Sequence, residues 1–152
     1  LEGRTTIWAV GWRAFQDNAV TGVGGGNFGT ASRHYLLEPG AVGRSDQIIQ
    51  ETPAAHNIYL EVGSELGLIG LGLLMSIIVF CIAAAIKAAR AFERAGDSRM
   101  AIFATACAVG IIGTLAADFF ISEQHSKQLW LLLGLCPALL SVARATAGEQ
   151  RD

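Results

Sequence analysis

The chain has 152 residues, of which 52% are hydrophobic and 16% charged, with a formal net charge of −2 and a mean hydropathy of +0.44. Such hydropathy excludes intrinsic disorder, and a charge-free run of twenty residues at 67–86 points to the membrane class. Charge argues against a nucleic-acid partner, since four of the eleven basic residues sit in one short link and the balance is slightly acidic.

The first predicted element is an amphipathic helix over about Thr5 to Asn18. Trp8, Trp12 and Phe15 recur there at i, i+4 and i+7. Two indoles on one stripe suit a helix lying at the membrane interface, and equally a helix packed on other protein. A glycine-rich turn follows over Thr21 to Gly29, and residues 30–55 read as an irregular loop punctuated by Pro39, Gly40, Gly43 and Pro53. From about Ala55 a helix begins that runs into the bilayer. Its span, Gly67 to Ile86, covers about 30 Å at the helical rise, enough to cross the hydrocarbon. Lys87 to Arg99 is a hydrophilic link, and two further spans are predicted at about 100–121 and 129–143. The fold class expected is therefore all-α integral membrane.

Residues 1–66 carry four Arg, no Lys and seven acidic residues. The 87–99 link carries Lys87, Arg90, Arg94 and Arg99, whereas the 122–128 loop carries only Lys127. By the positive-inside rule the link and the tail, 144–152, belong in the cytoplasm, with residues 1–66 outside. Cys81, Cys107 and Cys136 all fall within apolar runs, are odd in number and form no C-x-x-C pair, so they read as small buried hydrophobes. The chain opens on Leu1-Glu2-Gly3-Arg4 in mid-pattern, and reads as the C-terminal fragment of a longer protein: an outward-facing segment plus three transmembrane helices.

Several patterns carry chemistry. Gly24, Gly26 and Gly29 form a G-x-G-x-x-G, but a helix precedes it and a polar loop follows. Dinucleotide binding needs the opposite context, a strand before and a helix after. A turn that lets backbone approach another surface is the better reading. On a helical wheel His56, Leu60, Gly63, Gly67 and Gly70 fall near one line, so that a second helix can pack closely below the imidazole. Asn57, Glu61 and Ser64 form an adjoining polar stripe with Glu65 at its edge. His56 suits a general base near neutral pH, or alternatively a group that caps the helix start. Arg4 suits phosphate recognition by its bidentate fork, on a substrate or on a lipid headgroup. Asp118, Glu123, His125 and Lys127 read first as residues that terminate spans. No metal-ligand spacing, paired-carboxylate spacing or nucleophile motif is present, so no metal or cofactor is expected.

Taken together these residues resemble the O-antigen ligase and polymerase family of bacterial envelope glycan-assembly proteins. The resemblance rests on Gly3-Arg4-x-x-Ile7-Trp8, then Gly22-Val23-Gly24-x-Gly26-Asn27-Phe28, then His56-Asn57 followed after nine residues by Gly67-x-x-Gly70. It covers about residues 3 to 143. A proline often found before the glycine motif is replaced by Ala19-Val20-Thr21.

The resemblance implies transfer of a glycan from an undecaprenyl-diphosphate carrier to an acceptor hydroxyl at the outer face of the bacterial cytoplasmic (inner) membrane, without a metal and with inversion at the anomeric carbon. His56 would then be the general base, and Arg4 would hold the diphosphate leaving group. Asn57 and Glu61 would contact substrate, while Gly22, Gly24, Gly26, Gly67 and Gly70 would shape the backbone. The acceptor is a glycan, lipid A core or a protein. Upstream helices and a further arginine of the family lie outside these residues, so the 152 residues alone are expected to be inactive. The competing expectation is a non-enzymatic membrane protein, such as a transporter subunit, which predicts polar or broken helices at mid-bilayer.

Overall fold

The computed structural model describes residues 2–37, 57–119 and 127–149. Among the described residues every regular element is helical. They are α1 (Glu2–Asp17), α2 (Phe28–Leu37), α3 (Ile58–Arg94), α4 (Ser98–Ala117) and α5 (Lys127–Glu149). Three of them, α3, α4 and α5, are long and apolar enough to cross a membrane. The chain divides into two compact units: residues 1–74 with 118–124, and residues 75–117 with 125–152.

In the first unit α1 packs on α2 and on the opening turns of α3. Val10, Gly11 and Ala14 make the buried face of α1. A Cβ on Gly11 would stand 3.1 Å from the side chains of both Leu60 and Phe28, and one on Gly63 would stand 3.7 Å from Phe15. Trp8 meets Phe119 edge-on at 5.9 Å, while Trp12 stacks on Phe15 at 5.4 Å and is largely exposed. The stripe thus does both things foreseen for it: Trp8 packs on protein and Trp12 faces outward.

Helix α2 occupies ground expected to be loop. Asn27 opens it, its carbonyl accepting from Ala31 N at 2.9 Å, and Phe28 and Leu36 are buried. Its ten residues carry too little periodicity to read alone; burial of these two side chains is what stabilises the helix. The rest of the expected loop, 38–55, lies outside the described residues.

The second unit is an apolar helical core built on small side chains, with Ala85, Ala88, Ala104, Ile111 and Cys136 all buried. The link after the first span is shorter than expected. Lys87, Arg90 and Arg94 remain helical, because straight-chain cations sustain a helix well; they end the apolarity but not the coil. The chain turns at Ala95–Asp97. Gly96, at φ 79°, lets Asp97 N bond back to Phe92 O at 2.9 Å, a left-handed C-terminal cap. Asp97 then caps α4 through Met100 N at 3.1 Å.

The last helix begins at Lys127 and runs through Glu149, which relieves the shortness of the predicted span. Pro137 lies within it. Proline has no N–H, so the carbonyl of Leu133 loses its helical donor, and the Cys81 thiol donates to that oxygen at 3.2 Å. In a membrane every backbone group must find such a partner. Cys81 is therefore more than a small hydrophobe.

Candidate functional site

Helix α3 is not continuous. Gly67 sits at φ 64°, ψ −163°, a region essentially closed to residues with a Cβ. In an unbroken helix Leu68 N would donate to Ser64 O, and Ile69 N to Glu65 O. Here those four groups are exchanged with the glycine-rich turn. Leu68 N donates to Ala19 O at 2.8 Å and Ile69 N to Val20 O at 3.4 Å; in return Val23 N donates to Ser64 O at 2.9 Å and Gly24 N to Glu65 O at 2.8 Å. The turn is spliced into the helix. This satisfies a broken backbone beside an apolar span, where water cannot do so.

The glycines have distinct reasons for being there. A Cβ on Gly22 (φ 70°) would strike the backbone of Glu65 and Leu66, and one on Gly67 would strike that of Val20 and Thr21. Gly24 and Gly26 also take positive φ. A Cβ on Gly70 would overlap the side chain of Leu66, which the break brings back over it. The close approach that Gly67 permits is therefore that of a turn, not of a second helix as the straight-helix spacing suggested. Of the G-x-G-x-x-G pattern, Gly24 takes part in the splice, Gly26 takes positive φ, and Gly29 lies in α2.

Around the splice the six polar side chains buried among the described residues all belong to this unit: Ser32, Asn57, Glu61, Ser64, Glu65 and Asp118. The Glu65 carboxylate accepts from Phe28 N at 3.0 Å and so caps α2, where negative charge also complements the helix dipole. Ser64 Oγ donates to Glu61 O at 3.0 Å. At the start of α3, Asn57 Oδ1 accepts from Tyr59 N and Leu60 N, both at 3.0 Å, and Ile58 N donates to Asp118 O at 3.1 Å. Asn57 is the N-cap. Its replacement by alanine is expected to cost about 0.5–2 kcal/mol, with serine or aspartate restoring most of it, read as thermal unfolding in detergent.

The expected site residues distribute as follows. Arg4 lies in the first turn of α1, on the same stripe as Trp8, Gly11 and Phe15; its side chain lies outside the described set, as does all of His56. Glu61 is buried in the first turn of α3. Glu65 and Asp118 carry more of the unit than their sequence positions suggested. Asp118 looked like a span terminator, yet it is 3% exposed, and its one legible signal is that it closes a run without charges.

Helices α1 and α3 run parallel, since Gly11 and Phe15 on one match Leu60 and Gly63 on the other, and Val20 then matches Ile69. Both N-termini therefore point to the same end. Phe119 lies between them, 5.9 Å from Trp8 and 6.4 Å from Tyr59. The first amides of α3 are already taken by Asn57 Oδ1 and Asp118 O, and the carboxylates of Glu61 and Asp118 are buried in the same unit.

The family described as O-antigen ligase matches over residues 1–75, which contain α1, the glycine turn and the splice. No curated protein and no solved structure gives a significant match. With three helices able to cross a membrane, the match points to a bacterial membrane protein of ligase-like or polymerase-like function. Residues 1–75, just under half of the chain, match the O-antigen ligase family.

Proposed function

We propose that the chain is part of a glycosyltransferase of the inner membrane that moves a glycan from an undecaprenyl-diphosphate donor to an acceptor hydroxyl. Residues 1–66 face the periplasm, 67–143 hold the spans, and 144–152 form the cytoplasmic tail. The acceptor oxygen attacks the anomeric carbon as the bond to the diphosphate breaks, with inversion. His56 takes the acceptor proton. Arg4 holds the diphosphate, whose negative charge grows as it leaves. Asn57 and Glu61 line the acceptor side; with Oδ1 committed to the cap, Asn57 meets substrate through its amide N–H groups.

The observation that carries this reading is the parallel register of α1 and α3 within the family-matched segment. It sets the Arg4-bearing turn and the Asn57 entry, one peptide bond from His56, at the same end of the unit. Asn57 already fills the capping position, so the cap of α3 does not depend on His56. The break at Gly67 does not favour a transporter. It lies at the start of the apolar run, not in its middle, and its freed backbone groups are taken by the turn instead of being held open for an ion.

In native membrane vesicles supplied with the lipid-linked glycan and acceptors, Arg4→Ala is expected to weaken donor binding and lower transfer at least tenfold. Arg4→Lys keeps the charge but not the fork and should recover only part of it. Wild-type transfer by Arg4→Ala would remove Arg4 from the mechanism.

A further inference from the structure

We propose that the tip of the glycine-rich turn, around Val20, is embedded in the outer edge of the bilayer hydrocarbon and anchors the first unit at a fixed depth. Three observations carry this. Val20 is 62% exposed and is bonded through its carbonyl to Ile69, at the first turn of the apolar run. Leu66, Leu68 and Ile69 are exposed beside it. The turn's outward surface thus continues that of a helix able to cross a membrane.

Residues 18–32 carry no charged side chain. The exposed charges that flank this stretch are Asp17, at the end of α1, and Arg33, on α2. In the parallel register Asp17 falls near the level of Leu66 and Val20 near that of Ile69, about 5 Å apart along the axis at the helical rise, with Arg13 about 10 Å from Val20. Charge therefore gives way to apolar surface along the axis of α3, as it does across a water–lipid boundary.

The third observation is the backbone. Irregular chain at membrane depth is tolerated only where its polar groups are satisfied internally. Here Ala19 O and Val20 O accept from α3, Gly22 N donates to Asn18 O, and Val23 N and Gly24 N donate to α3. The splice thus supplies these groups with part of the solvation that lipid withholds.

The test is depth-resolved. A nitroxide on Val20→Cys, in a background with Cys81, Cys107 and Cys136 replaced by alanine, should collide preferentially with oxygen over a water-soluble nickel complex, matching Leu68→Cys and opposite to Arg13→Cys. Equal access of nickel to positions 20 and 13 would overturn the proposal, and so would a label at 20 reached by neither reagent, which would mean that protein covers it. Should the cysteine-free background fail to fold, a photo-reactive benzoylphenylalanine at position 20 of the otherwise native protein decides the matter in cell membranes. A phospholipid adduct at 20 and not at 13 is expected, and adducts only to protein, or none, overturn it.

Discussion

Gly67→Ala is expected to destabilise the first unit by about 3–5 kcal/mol, near the upper end of what single substitutions do. The backbone at φ 64°, ψ −163° costs a residue with a Cβ about 1–3 kcal/mol. The new methyl group also meets Val20 carbonyl and Thr21 backbone, which cannot rotate aside as a side chain could. Moving the turn away sacrifices the four splice bonds, each worth about 0.5–1.5 kcal/mol and more where water cannot replace them. Gly22→Ala attacks the same contact from the other side and should cost a similar amount. Because both act on one splice, the double variant should cost much less than the sum of the two. Gly72→Ala is the control: it lies in the same helix, nothing lies within 4 Å of its added Cβ, and helix propensity favours the change by up to about 1 kcal/mol. Thermal unfolding of the four variants in detergent measures all of this. A Gly67→Ala protein as stable as wild type would show that the splice does not hold the unit together.

His56→Ala is expected to lower glycan transfer by about 10²–10⁴-fold, the usual worth of a positioned general base, while donor binding is retained. The two substrates separate the roles: loss of Arg4 acts on the diphosphate side, whereas loss of His56 acts on the acceptor oxygen. Mass spectrometry of acceptor and donor in membrane vesicles, at matched protein levels, reads the transfer and identifies the acceptor. Unchanged transfer would reduce His56 to a bystander beside the Asn57 cap.

The three spans and the first helix were legible in the sequence because they are local: length, hydropathy and a 3.6-residue period report them directly. The polar stripe of Asn57, Glu61 and Ser64 was legible for the same reason, and all three are buried. Residues 28–37 were not legible as a helix. Their stability comes from buried Phe28 and Leu36 and from the carboxylate of Glu65, which lies 37 residues away from the amide it caps. Glu65 itself looked like the margin of a stripe, since a wheel shows only its own helix and not the Phe28 amide on α2 that Glu65 caps.

By itself the sequence determined that the elements among the described residues are helical, three of them able to cross a membrane, and it carried the motif order of the family it resembles. Only the tertiary structure decided what the glycines are for. Spacing of three or four residues looks the same whether a glycine admits a neighbouring helix or takes a positive φ. The difference lies in backbone hydrogen bonds exchanged between residues 19–24 and 64–69, more than forty positions apart, and no local period encodes a bond across that distance.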